Sequence, residues 1–177
     1  MLVGAQVLLR PWAAADADAV FAACGDVEIQ RWTTVPSPYT QADAVAYVTE
    51  VAPEAWKRGG AEFAVVEAAT GRLVGSIGAH DMSDEVAHVG YWTRPSGRGR
   101  GLTSDALRTL TGWFLRDGGA ARVELVVEPA NVGSVLVAET SGFTREGLLR
   151  QRFVLRGRRA DVAMYSMLAG DTAAAIL

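Results

Sequence analysis

The sequence predicts a mixed α/β single domain spanning residues 1–177, and three observations carry that expectation. The chain has 177 residues of which 50% are hydrophobic and 21% charged, enough for one sizeable core and too apolar for intrinsic disorder. Its hydrophobic spacing switches repeatedly between a strand period of two and a helical period near 3.6. The joints are short, fall at glycine or proline, and show neither a linker nor an internal repeat.

The elements follow in order. Gln6–Arg10 reads as a strand closed by Pro11, which cannot extend a ladder. Ala13–Cys24 is alanine-rich and helical, ending before Gly25; residues 31–39, with Pro36 and Pro38, read as an irregular loop. Thr40 opens a helix, with Asp43 completing a capping box, and Ala44, Val45, Val48 and Val51 keep helical spacing until Pro53 ends or kinks it. Glu62–Ala68 and Leu73–Ala79 form a hairpin, and Val86–Thr93 is a third strand stopped by Arg94–Pro95. Ser104–Leu115 is a helix ended by Gly118–Gly119. Arg122–Glu128 is a strand, Asn131–Thr140 a short helix, and Glu146–Leu155 and Ala160–Leu168 a last hairpin bent at Gly157. The final eight or so residues are expected to be a loose tail.

Composition excludes several function classes. The net charge is −3 and the pI near 5.4, unlike the basic field of a DNA-binding protein. No run approaches the roughly 20 apolar residues that span a bilayer, and Met1–Arg10 lacks the features of a secretory signal. Cys24 stands alone and the histidines are His80 and His88, so neither a disulfide nor a metal site is expected. The cytoplasm is the expected compartment. Lys57 is the single lysine among 17 basic residues. The arginines cluster at Arg94, Arg98, Arg100 and Arg108, and again at Arg150, Arg152, Arg156, Arg158 and Arg159. They read either as pockets for a small polyanion or as solvated side chains.

The segment from Gly90 to Leu107 carries the most chemistry. A strand ends at Thr93, a loop rich in glycine and arginine follows, and a helix opens near Thr103. Gly97, Gly99 and Gly101 let the backbone approach a ligand, and first-turn amides favour an anion. The spacing describes a phosphate or pyrophosphate cradle. It is neither a Walker loop nor a dinucleotide GxGxxG motif.

Arg98-Gly-Arg-Gly-Leu-Thr103 resembles the Arg/Gln-x-x-Gly-x-Gly/Ala signature of GCN5-related N-acetyltransferases (GNATs), with Thr103 departing at the sixth position. Five other segments resemble the RimJ/RimL-type branch in the same order. They are Leu8–Trp12, Gly90–Trp92, Asn131 with Ser134, Ser141–Gly147, and Asp161-x-x-Met164-Tyr165. The resemblance implies a central, mostly antiparallel sheet splayed at its fourth and fifth strands and flanked by helices. It implies acetyl-CoA as cofactor, gripped by Arg98, Gly99, Arg100, Gly101, Leu102, Thr103 and Ser104. Trp92 and Thr93 would make main-chain contacts to the pantetheine arm, and Asn131 would meet that arm or simply cap its helix. An amide of the same strand would stabilise an oxyanion.

The proton path departs from the family. Where many members place a tyrosine, this chain has Ala138. Ser134 is then the candidate donor to the leaving thiolate, or a small packing residue. Relatives often carry a glutamate where this chain has His88, and an imidazole titrating near pH 6.5 suits a general base. Glu62, His80, Asp81 and Glu85 are reserves, and a glutamate of some relatives is replaced by Phe153. Trp32, Tyr39 and Phe153, with Trp56 and the acidic Asp26, Glu28, Asp81 and Asp84, are candidates to wall an amine acceptor. That acceptor would be a protein N-terminus, such as a ribosomal protein's, or a small amine. Dimers are frequent among similar proteins. Two other functions stay open on sequence: a non-catalytic acyl-CoA-binding module and an arginine-rich RNA or ribosome contact protein.

Overall fold

The computed structural model describes residues 1–174. The chain opens with β1 (Leu2–Val3) and β2 (Val7–Pro11), then α1 (Ala17–Cys24), α2 (Val27–Trp32) and α3 (Gln41–Ala46). A π-helical turn, Tyr47–Val51, leads into α4 (Ala52–Lys57). The middle holds β3 (Ala61–Glu67), β4 (Leu73–Ala79), β5 (Met82–Ser83), β6 (Val86–His88) and β7 (Gly90–Thr93). After α5 (Leu102–Arg116) come β8 (Arg122–Val127), α6 (Val132–Thr140), β9 (Thr144–Leu155), β10 (Arg158–Leu168) and α7 (Ala169–Ala174).

Hydrogen bonding divides the strands into two five-stranded sheets, ordered β1-β2-β3-β4-β7 and β5-β6-β8-β10-β9. The strand expected over Val86–Thr93 breaks at Val89. Its first part pairs in parallel with β8, ending at His88 opposite Glu124, and its second part pairs antiparallel with β4. Past the Val89 amide, which donates to the Glu124 carbonyl at 2.8 Å, β7 and β8 diverge. This is the splay the resemblance implied.

Helix α5 backs both sheets. Leu102, Ala106, Leu107, Leu110 and Phe114 recur at helical spacing and are buried among Leu9, Phe63, Ile77, Val123 and Tyr165. Each buried leucine or phenylalanine here contributes roughly 1.5–3 kcal/mol. The first turn is fixed by Asp105, a buried carboxylate that accepts the amides of Ala5, Gln6 and Val7 at 3.2, 2.7 and 3.1 Å. The opposite, front face of the first sheet is covered by α1–α3, where Val20, Cys24, Ile29, Val48 and Trp92 form a second core.

Two expectations change. Helix α2 was not foreseen, because six residues are too few to show a period. It forms because Asp26 caps it, accepting the Glu28 and Ile29 amides at 3.1 and 3.0 Å. Pro53 does not end its helix. The Ala52 amide bonds the Tyr47 carbonyl, and this widened turn admits a residue that has no N–H of its own. Of the final eight or so residues, those up to Ala174 belong to the helix Ala169–Ala174, and residues 175–177 lie outside the described part. Among the described residues no helix is long and apolar enough to cross a membrane.

Candidate active site

The divergence of β7 and β8 opens a cleft of about 810 Å³ across the front of both sheets. One wall is the glycine loop. Gly99 and Gly101 take left-handed φ values of +68° and +74°, which a side chain would resist, and Gly101 is the N-cap of α5. Lacking a side chain, it leaves the first-turn amides free to meet an anion. Thr93 and Thr103 share a hydroxyl–hydroxyl bond of 2.7 Å that ties the end of β7 to the start of α5. The departure at Thr103 is thus a strand-to-helix staple.

The two loop arginines behave differently. Arg98 lines the cleft, donating to the Thr93 carbonyl at 3.2 Å and pairing with Asp26 at 2.5 Å. Arg100 turns away from it and pairs with Glu67 at the end of β3, a carboxylate also bonded by Thr70 at 2.7 Å. These donors hold Glu67 below the usual carboxylate range. The Leu102 side chain is buried in the core, and the Ser104 hydroxyl meets that of Thr140 at 3.0 Å. Of the loop, Arg98, Gly99 and Thr103 line the cleft, whereas Arg100, Gly101, Leu102 and Ser104 do not.

The opposite wall comes from α6. Asn131 caps the helix, accepting the Ser134 amide at 3.2 Å, and both residues line the cleft. Trp92 and Thr93 line it from β7. Ala138 is buried in the core. The Tyr91 hydroxyl, from the middle of the Gly90–Trp92 motif, donates to the Ser134 carbonyl at 3.3 Å, and burial pushes its pKa up to about 12.

Both histidines stand in the cleft beside a glutamate. His88 Nδ1 lies 2.9 Å from Glu124, and His80 Nδ1 lies 3.0 Å from Glu62. The imidazoles are more than half exposed while the carboxylates are largely buried. Glu62 also accepts the Tyr47 hydroxyl at 3.1 Å, and that hydroxyl bonds Ser76 at 2.9 Å. Burial raises the pKa of Glu62, opposed by His80 and Tyr47. Glu124 and Tyr47 were missed in the sequence. The signal available for Tyr47 was its place beside Ala44 and Val48 on the core-facing stripe of the helix.

The acceptor candidates divide. Trp32 and Phe153 line the cleft, as does Glu28, which accepts the Trp32 indole N–H at 2.9 Å. Tyr39 does not; it packs with α1 and α3 and meets the Cys24 thiol, because its loop folds back onto that core. Asp81 is exposed and outside the lining, while Trp56 packs edge-on against Phe63 with ring centroids 5.0 Å apart. Among the described residues no group of three or more His, Cys, Asp or Glu side chains could hold a metal ion.

Comparison with known proteins agrees with this geometry. The family described as "Acetyltransferase (GNAT) domain" matches residues 6–144. The N-acetyltransferase p20 of Bacillus licheniformis, itself uncharacterized, is 26% identical over 166 residues, covering 92% of this chain and 93% of that one. The ribosomal-protein-serine acetyltransferase of Escherichia coli (strain K12) is 32% identical over 98 residues, or 54% and 55% of the two chains. The structure of RimL, a ribosomal L7/L12 alpha-N-protein acetyltransferase in complex with coenzyme A, superposes with a TM-score of 0.84. It is 22% identical and covers 94% of this chain and 96% of that one. With the glycine loop, the capped α5 and the splayed strands in place, the chain belongs to the GNAT acetyltransferase family.

Proposed function

We propose that the protein transfers the acetyl group of acetyl-CoA directly to a primary amine, with a protein N-terminus such as a ribosomal protein's as the first acceptor to test and small amines as the second. The carrying observation is the junction of two features at one splay: a glycine loop leading into the uncapped first turn of α5, and the His88–Glu124 pair on the adjoining strands. Acetyl-CoA, when bound, supplies the thioester to be attacked. The residues fit it, since the amides after Gly101 and the Arg98 guanidinium suit a pyrophosphate.

The rest of the chemistry belongs to the chain. A protein α-amino group titrates at about 7.7–8.0 and an alkyl ammonium roughly three units above neutral pH, so a proton must be removed from either before attack. Glu124 stands 2.9 Å from His88 Nδ1; a proton on that nitrogen makes Nε2 the basic one and keeps the ring oriented beside the carboxylate. Ser134, at the start of α6, is the hydroxyl assigned to the leaving thiolate, and Tyr91 fixes its carbonyl. Ribosomal acceptors, as named for the Escherichia coli relative, support a cytoplasmic location.

The test is thiol release from acetyl-CoA with serine- and alanine-initiated peptides and a panel of small amines. Turnover with an amine and none without it is expected. Tight acetyl-CoA binding with no turnover on any amine would instead favour a non-catalytic acyl-CoA-binding module.

A further inference from the structure

Glu62, Gly78 and Gly90 stand directly opposite one another on β3, β4 and β7. Residues so paired share a face of the sheet, here the front face that floors the cleft. The two glycines leave the row open. A Cβ at Gly78 would lie 2.5 Å from Glu62 Oε2, so the carboxylate occupies the space that glycine vacates. A Cβ at Gly90 would meet nothing within 4 Å. One strand spacing, about 4.8 Å, therefore separates the Glu62 carboxylate from the open backbone where the splay begins. That is the span of one bridging water, or of an ion pair for a nitrogen standing between the two. Among the described residues the partners of this largely buried carboxyl group are hydroxyl and imidazole groups, with no lysine or arginine.

We infer that Glu62 is the ammonium receptor of the acceptor pocket: the acceptor nitrogen arrives protonated over Gly78 and Gly90, pairs with Glu62, and from there loses its proton to His88. This rests on the amine-acetylation reading above. It adds a substrate class, acceptors that bind as primary ammonium ions, and a binding residue that is separate from the base. His80 and Tyr47 are positioning residues. Tyr47 donates to one carboxylate oxygen at 3.1 Å and His80 Nδ1 stands 3.0 Å from the other, so the carboxylate is held between them. Balance is simple: one N–H proton of the ammonium moves to His88 Nε2 and from the exposed imidazole to water, the neutral amine attacks the thioester carbonyl, and collapse breaks the C–S bond while the second N–H proton of the attacking nitrogen passes through the Ser134 hydroxyl to the leaving thiolate.

The other charged groups around Glu62 are few. The π-helical turn offers Tyr47, with the Cys24 thiol beyond it, and β4 is followed by His80. On β2, Arg10 is paired to Asp16 at 2.7 Å, and on α4, Glu54 and Lys57 pair with each other at 3.0 Å on the exposed side. From β7 the row offers Gly90 alone. Amine affinity should therefore fall as pH drops through the titration of Glu62.

The experiment is calorimetric binding of a serine-initiated hexapeptide and of spermidine to CoA-saturated protein, beside steady-state kinetics with acetyl-CoA. The N-formylated hexapeptide serves as the uncharged control. Glu62→Gln should weaken the free-amine probes roughly 10–100-fold, the range of a hydrogen bond to a charged group. CoA affinity and the weak binding of the formylated peptide should not move. In kinetics the loss should fall mainly on KM, whereas His88→Ala acts on kcat. Should Glu62→Gln fail to fold, Tyr47→Phe keeps the carboxylate but removes a donor to it, and should move the loss of amine affinity to higher pH. Amine affinity that is unchanged in Glu62→Gln, or unchanged pH dependence in Tyr47→Phe, overturns the assignment while acetylation stands. Wild-type protein that holds CoA but neither binds nor acetylates either amine overturns both readings together.

Discussion

His88 and Glu124 face each other at the last register pair of β6 and β8, the point past which the two sheets part, with Nδ1 2.9 Å from the carboxylate. The pairing that ends the parallel ladder thus also fixes the imidazole at the mouth of the cleft. Glu124 has a second partner, the Arg122 guanidinium at 2.6 Å, and Arg122 in turn grips Glu146 at 2.6 Å. The orientation of the proposed base is therefore tied into β8 and β9, on elements more rigid than a loop.

Replacing His88 by Ala should lower turnover about 100-fold or more, the usual contribution of a general base, and leave CoA affinity unchanged. The acidic limb of the pH–rate profile should flatten. Glu124→Gln should keep the ring but loosen its tautomer, with a smaller loss of kcat and the same KM. An unaltered pH profile in His88→Ala would remove His88 from the mechanism.

The glycine loop gives a prediction on cofactor binding. At Gly101 a Cβ would find space, its nearest neighbour being Gln6 Nε2 at 3.9 Å, but φ is +74°. The cost of a side chain there is conformational, about 1–2 kcal/mol, and greater for a β-branched one. Gly101→Val should weaken acetyl-CoA binding measured by calorimetry, with far-UV circular dichroism unchanged. Gly90→Ala, which meets nothing, should leave CoA affinity intact.

Asp105 is buried and is the acceptor for three consecutive amides at the start of β2. Asp105→Ala would strand those donors, each unsatisfied buried group costing about 1–3 kcal/mol. The midpoint of urea unfolding should drop accordingly. Because α5 begins only four residues earlier, at its Gly101 N-cap, CoA affinity should fall with it.

Much of the fold was legible because its signals are local. Capping at Thr40, glycine and proline stops, and the strand and helix periods all act within a few residues. The splay at Val89 was not readable from periodicity, since β6 and β7 are continuous in sequence and differ only in which strand each finds. The second arginine cluster was also opaque. Arg156 bonds the carbonyls of Thr33 and Val35 at 3.0 and 2.8 Å, Arg158 pairs with Glu128 at 2.8 Å, and Arg159 bonds the Gln151 carbonyl at 2.9 Å. These are contacts across as many as 123 residues of sequence, which no local pattern announces. In the cleft, the glycine loop was visible as a motif. The carboxylate partners of the two histidines were not paired with them, because strand register decides which glutamate each one meets.

Two glutamates should give opposite pH signatures in stability. Glu146, bonded by Arg122 and by Ser166 at 2.6 Å, has its pKa lowered from 4.5 to about 2. A depressed folded-state value stabilises the fold above the ordinary value, so this contribution is complete above pH 4.5 and is lost as pH falls toward about 2. Glu62 is raised from 4.5 by burial. Its folded state favours the protonated form, so its contribution is present below pH 4.5 and is lost as pH rises through the elevated value. Glu146→Gln should therefore flatten the acid side of a plot of urea midpoint against pH. Glu62→Gln, which keeps a polar group over Gly78 without the buried charge, should raise the midpoint at pH 7 while impairing amine binding. A variant more stable than the wild type yet weaker for its acceptor is the signature of a buried charge retained for its ligand; a lower midpoint at pH 7 would show that the Glu62 carboxylate serves the fold instead.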